Sequence, residues 1–145
     1  MNMDRLLESV KKHEGYRNKV YLDILGKRTV GVGHLCVEDF WEDDKEYEEK
    51  FLMTILEHDL QTAIKGAKEL MEEHDCADID EQAEEILIEM VFQLGMTGVS
   101  KFKNMWKALS ELNYVGASYE MLDSRWAKQT PNRANAMAKT MKEIT

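Results

Sequence analysis

Cysteine is scarce in this chain: Cys36 and Cys76 are the only two among 145 residues. Two thiols cannot make a disulfide framework, so they read as reduced cysteines of a cytosolic product. Repeats, low-complexity tracts and Pro/Ser-rich linkers are also missing. No apolar run approaches the roughly 18 residues a spanning helix needs, which excludes membrane insertion. The opening stretch, MNMDRLLESVKKHEG, lacks the apolar core of a secretory signal. Positive charge is in deficit, with 19 Lys and Arg against 28 Asp and Glu. A nucleic-acid binder would carry a basic stripe, so nucleic acid is not expected as a partner. What remains is an ordinary globular mix, 43% hydrophobic and 32% charged. Its length fits a single domain spanning residues 1–145 with a sizeable core.

The acidity is local. Residues 1–34 hold 7 Lys/Arg against 4 Asp/Glu, residues 35–90 hold 4 against 20, and residues 91–145 hold 8 against 4. The densest run, Glu38 to Glu49, lacks the alternating Asp/Asn ligands, glycine and distal glutamate of a calcium loop. It reads as a solvated loop leading into a helix, and no metal site is expected.

Apolar spacing sets out the elements. Leu6, Leu7 and Val10 mark a first helix over residues 3–14 that stops at Gly15. VYLD and RTVGVGH read as two short strands around a turn containing Gly26. A long helix is predicted over residues 45–74. A buried one follows from Asp78, where Asp78 and Glu81 stand like a capping box, to Gly95. Shorter helices cover residues 101–109 and 114–123, and the last opens at Thr130-Pro131. The fold class is α+β and mainly helical. A lone hairpin is not stable in water, so it must lean on helices as a small lobe, roughly 14–58. Residues 1–13 and 75–145 form a larger helical lobe, the long helix joins the two, and a cleft between them is the expected ligand site.

Glu14 ends the first helix, Asp23 stands beside the turn and Thr29 lies on the return strand. With the turn centred on Gly26, Asp23 and Thr29 fall opposite each other, where a carboxylate and a hydroxyl can orient one water. The negative end of a helix dipole disfavours a charged carboxylate at Glu14, the direction a general acid needs. Along TVGVGH, Thr29, Gly31 and Gly33 share one face, so something approaches the backbone there. Close packing and a flat sugar ring both fit.

At these residues the chain resembles a known family. HEGYRNKVYLDILGKRTVGVGHL (His13 to Leu35), EMVFQLGMTGVSKF (Glu89 to Phe102) and SRWAKQTPNRA (Ser124 to Ala134) resemble, in order, blocks of the phage-T4-type lysozymes, glycoside hydrolase family 24. The resemblance implies a lysozyme-like fold and hydrolysis of the β-1,4 bond between N-acetylmuramic acid and N-acetylglucosamine in peptidoglycan. It implies inversion at the anomeric carbon, which needs carboxylates far enough apart to admit a water. Carried over by position, Glu14 matches the general acid, Asp23 the second carboxylate and Thr29 the water-placing hydroxyl. Leu35, Phe92 and Gln93 match residues that contact saccharide. Arg133 matches an arginine facing the catalytic glutamate, and His34 with Asp59 matches a buried histidine–carboxylate pair that ties strand to helix. Met105 and Glu120 stand where the family presents small polar groups to the sugar. No metal and no cofactor is implied.

The same resemblance makes the expected partner a peptidoglycan glycan strand, attacked by a monomer. It implies an endolysin held in the host cytoplasm until a separate holin permeabilises the membrane. The chemical rival is a lytic transglycosylase, which has no use for a water-placing pair. The non-catalytic rival is a lysozyme-shaped wall-binding protein, which has no use for Glu14.

Overall fold

The computed structural model describes residues 1–145. Seven helices and a three-stranded antiparallel sheet follow one another in the order α1 (Met3–Glu14), β1 (Arg17–Leu22), β2 (Arg28–Gly31), β3 (His34–Leu35), α2 (Glu49–Glu73), α3 (Glu81–Ser100), α4 (Lys103–Ser110), α5 (Tyr114–Leu122), α6 (Arg125–Gln129) and α7 (Pro131–Lys142). This is an α+β, mainly helical architecture. Two compact units are present, residues 3–62 and residues 1–2 with 63–145, and the division falls inside α2.

In the unit of residues 3–62, α1 buries Leu6 and Val10, four apart on one stripe. Its last turn carries Lys11, Lys12 and His13 at the negative end of the dipole. Gly15 ends it at φ +74°, with its N–H bonded to the Lys11 carbonyl at 2.8 Å. The sheet departs from the expected hairpin in two respects. Gly31 and Gly33 both take left-handed backbone, φ +63° and +67°, so TVGVGH is two strands and a turn. The register also differs: Tyr21 pairs with Thr29 and Leu22 with Arg28. The Asp23 N–H bonds the Lys27 carbonyl at 2.9 Å, which centres the turn on Leu25 rather than Gly26. Asp23 is therefore not opposite Thr29; Tyr21 is.

The acidic run holds the core of this unit together. Trp41 and Tyr47 turn inward from it, edge to face at 4.8 Å between ring centroids, and pack with Val30 and Leu52. The Tyr47 hydroxyl accepts the Glu42 N–H at 2.8 Å. Because this loop is committed to packing, α2 begins at Glu49, four residues later than expected.

In the other unit α3 is the buried helix, with Ile86, Leu87, Ile88 and Met90 nearly inaccessible. Its N-cap is Asp80, which accepts the Gln82 N–H at 2.8 Å, so the expected Asp78–Glu81 box does not form. The helix breaks at Gly95 (φ 76°, ψ 166°) and resumes to Ser100. Helix α5 packs on α4 and α7, around buried Met105, Met121, Met137 and Met141, whose unbranched chains fill irregular gaps. Trp106 stacks on His74 at 4.7 Å and donates to the Val99 carbonyl at 3.0 Å. Proline opens α7 as expected, but the Thr130 hydroxyl donates to the Trp126 carbonyl and does not cap.

Candidate active site

Three elements of the 3–62 unit carry the sequence-predicted chemistry. The stop at Gly15 leaves Glu14 on the final residue of α1, and its carboxylate lies over Gly33. A Cβ at position 33 would stand 2.5 Å from Glu14 Oε2, 2.9 Å from Cδ and 3.2 Å from Cγ. The close approach expected at these glycines is therefore intramolecular: Glu14 occupies the space at Gly33. At Gly31 the neighbour is Leu52, 3.4 Å from a built Cβ.

Asp23 and Thr29 are tied together through the backbone of Lys27 although they are not cross-strand partners. Asp23 Oδ1 accepts the N–H groups of Leu25 (2.9 Å) and Lys27 (2.8 Å), fixing the carboxylate in the turn. The Thr29 hydroxyl donates to the Lys27 carbonyl at 3.0 Å. That commits its only proton and leaves its oxygen as an acceptor. Thr29 occupies the central strand, buried, with Tyr21 on one side and Leu35 on the other. Directly paired residues share a face, so Tyr21, Thr29 and Leu35 form a row, and Leu35 is 43% exposed at its end.

Behind the row, His34 Nδ1 lies 2.7 Å from Asp59 Oδ2, joining β3 to α2. Glu38, which the sequence analysis did not single out, completes the cluster. Its Oε1 lies 2.9 Å from His34 Nε2 and also accepts the Trp41 indole N–H at 2.7 Å. With a carboxylate at each ring nitrogen, both nitrogens must donate, so the imidazole is cationic. The Asp59 bond is the main cause that raises the His34 pKa to about 9; burial opposes it, and the Glu38 bond adds to it. Bonds from His34 and then Trp41 hold Glu38 below the ordinary carboxylate range. The unfolded imidazole returns to 6.5. The folded state binds this proton more tightly, so the stabilisation is complete below about 6.5 and is lost as pH rises through about 9. Thermal and denaturant unfolding should show a loss of roughly 3 kcal/mol across that window, absent in His34→Asn.

The remaining predicted residues belong to the 63–145 unit. Gln93 Oε1 accepts the Trp126 indole N–H at 2.8 Å, which fixes the amide and leaves its NH2 as a donor. Phe92 beside it is half-buried. Arg133 lies 3.6 Å from Glu89, with side chains only 10% and 5% exposed. Met105 and Glu120 line one cavity of about 590 Å³ with Lys103, Arg125 and Trp126.

The Phage lysozyme family model matches residues 11–142, spanning all of these positions. The chain belongs to the phage lysozyme family. This lysozyme is 29% identical over 154 residues to a probable T4-type lysozyme 2 of Dictyostelium discoideum, covering 90% of this chain and 89% of that protein. A probable T4-type lysozyme 1 of the same organism is 29% identical over 149 residues, covering 88% of each. The lysozyme is also 28% identical over 151 residues to the pre-baseplate central spike protein Gp5 of Enterobacteria phage T4, covering 90% of this chain and 26% of that protein. As a member of this family it is a glycoside hydrolase and a lysozyme-like peptidoglycan hydrolase.

Proposed function

We propose that this lysozyme hydrolyses the β-1,4 bond between N-acetylmuramic acid and N-acetylglucosamine with inversion, using Glu14 as general acid and a water held by Asp23 and Thr29. The observation that carries the reading is the placement of Glu14. Its carboxylate is lodged against a glycine that leaves it room, in the same compact unit as the Asp23–Lys27–Thr29 arrangement.

Each step follows from what the groups can do. Glu14 gives its proton to the glycosidic oxygen as the C1–O bond breaks, and the bonding pair leaves with that oxygen. Asp23 has Oδ1 committed to two backbone N–H groups, so Oδ2 takes one proton of the water. Thr29 can only accept, and it accepts a hydrogen bond from the other O–H, whose proton stays on the oxygen as the new anomeric hydroxyl. With both protons engaged, a lone pair of the water faces C1 and attacks from the side opposite the leaving group. Leu35, Phe92 and Gln93 contact the sugars. Arg133, His34 and Asp59 support the framework.

The biological setting in this reading is host lysis. The enzyme acts as a monomer on the glycan strand, and it reaches the wall from the host cytoplasm once a separate holin has opened the membrane.

Digestion of purified sacculi in ¹⁸O-water tests the chemistry against transglycosylation. Hydrolysis leaves reducing N-acetylmuramic acid ends, each carrying one ¹⁸O atom, which mass spectrometry detects. Unlabelled anhydro ends, lighter by one water, would instead show an intramolecular transfer and sink the water-placing role of Asp23 and Thr29.

A further inference from the structure

Helix α5 carries an apolar row that the rest of the protein leaves uncovered. Its inward residues are Ala117, Ser118 and Met121, where it packs on α4 and α7. Val115, Tyr119 and Leu122 recur at intervals of four and three, so they share one face of the helix. Leu112 extends the row just before the helix begins. All four are between 37% and 57% exposed. Exposed apolar side chains are ordinary when scattered singly, but a contiguous row marks an interaction surface.

Leu112 adds an independent observation. Helix α4 ends in a Schellman arrangement, with the Asn113 N–H on the Ala108 carbonyl at 2.8 Å and the Leu112 N–H on that of Leu109 at 3.0 Å. The closing position is left-handed, φ +56°, and glycine or asparagine ordinarily fills it. A leucine there strains the backbone and also holds an apolar side chain in water. Burial against a partner removes the second of these penalties.

The row is complementary to itself. When a second α5 is laid antiparallel about a two-fold axis beside Ala117, Leu112 faces Leu122 of the other copy and Val115 faces Tyr119. The large ring then meets the small side chain at both symmetry-related places. Charge agrees with the same alignment. Lys142 Nζ stands 5.2 Å from the Tyr119 ring centroid, near the C-terminal end of the row. Glu111 precedes Leu112 at the other end, and both charged residues are exposed. Antiparallel pairing brings each Lys142 to the Glu111 of the other copy, whereas parallel pairing sets like charges together. The row presents an apolar area on the order of 400 Å² per copy. Twice that area falls short of the roughly 1,200 Å² at which specific interfaces become stable, so the pair is weak and concentration-dependent.

We propose that α5 is a self-association surface whose occupant is a second copy of this chain, laid antiparallel along Leu112, Val115, Tyr119 and Leu122. The inference is independent of the reading of Glu14, because Glu14, Asp23 and Thr29 all lie in the 3–62 unit. So small an interface dissociates on dilution. The acting species therefore remains the monomer, and the pair forms where the protein is concentrated.

Sedimentation velocity at low ionic strength, from about 1 to 500 µM protein, tests it. Wild type is expected to pass from monomer to dimer with a midpoint on the order of 50 µM. Tyr119→Ser removes an exposed ring, so it should melt close to wild type and abolish the dimer. Reducing-end release by the dilute variant should match that of wild type. Charge reversal tests the alignment. Glu111→Lys and Lys142→Glu each set like charges together twice per dimer and should weaken it about tenfold. Both reversals in one chain restore opposite charges and should return the midpoint to near its wild-type value.

Wild type that stays monomeric throughout overturns the proposal, and so does a dimer indifferent to Tyr119→Ser. A dimer that neither charge reversal weakens, or that the double reversal fails to restore, overturns it as well, because the copies then pair in another alignment. If Tyr119→Ser melts early, the charge reversals decide alone, since both positions are exposed. Wild-type enzyme that releases no reducing ends refutes the reading of the reaction, a result distinct from any behaviour of α5.

Discussion

Gly33→Ala is expected to cut the rate of glycan cleavage about a hundredfold while leaving the protein folded. The added methyl would stand 2.5 Å from Glu14 Oε2 and 2.9 Å from Cδ, distances that nonbonded atoms do not sustain, so the carboxylate has to move. A displacement near 1 Å at a reacting group costs about two orders of magnitude in rate. Backbone strain accompanies the change, because alanine at φ +67° costs about 1 kcal/mol. Gly31→Ala separates the two effects. It carries the same strain at φ +63°, but its methyl meets only Leu52 at an ordinary 3.4 Å. Melting temperatures of the two variants should fall by similar amounts, and only Gly33→Ala should lose most of kcat. Equal losses of activity in both would show that backbone strain, not the Glu14 contact, is what the glycine relieves.

The second large effect concerns Glu14 itself. Glu14→Gln keeps the shape of the side chain over Gly33 and removes the transferable proton. A positioned general acid contributes about 10²–10⁴-fold, so the variant should bind sacculi normally and cleave them slower by that factor. Because the change lies in the proton and not in the contact, its melting behaviour should stay close to wild type. That separates it from Gly33→Ala, where the carboxyl is intact and displaced.

How far the sequence reached differs from element to element. Local signals were legible where one residue decides the outcome: Gly15 stops α1 and thereby fixes where Glu14 stands. The apolar content of the helix from Asp78 to Gly95 announced burial, and burial followed from Glu85 to Val91, whereas Phe92 to Gly98 are partly or fully exposed. Register was not legible. Counting from Gly26 paired Asp23 with Thr29, but the Asp23 carboxylate draws in the N–H groups of Leu25 and Lys27 and centres the turn one residue earlier. That moves the partner of Thr29 two residues along β1, to Tyr21. Local hydrogen bonding of an Asp side chain inside a turn thus outweighed glycine position.

Other features depend on the folded chain and have no local signature. The acidic run concealed Trp41 and Tyr47, because eight acidic neighbours dominate its composition, while two aromatic rings dominate its burial. Glu38 reaches His34 through the path of a loop, where a spacing of four residues carries no geometric rule of the kind a helix imposes. The two glycines of TVGVGH signalled a close approach without naming its source. Only the placement of α1 and α2 against the sheet assigns Glu14 to Gly33 and Leu52 to Gly31.

The measurement that bears most directly on the account is release of new reducing ends from purified sacculi by wild type and Glu14→Gln, at matched binding and matched folding. The account predicts steady release by the wild type and a loss of about 10²–10⁴-fold in the variant. Release by Glu14→Gln at a rate near that of the wild type would contradict it, and would move the proton donor to another residue.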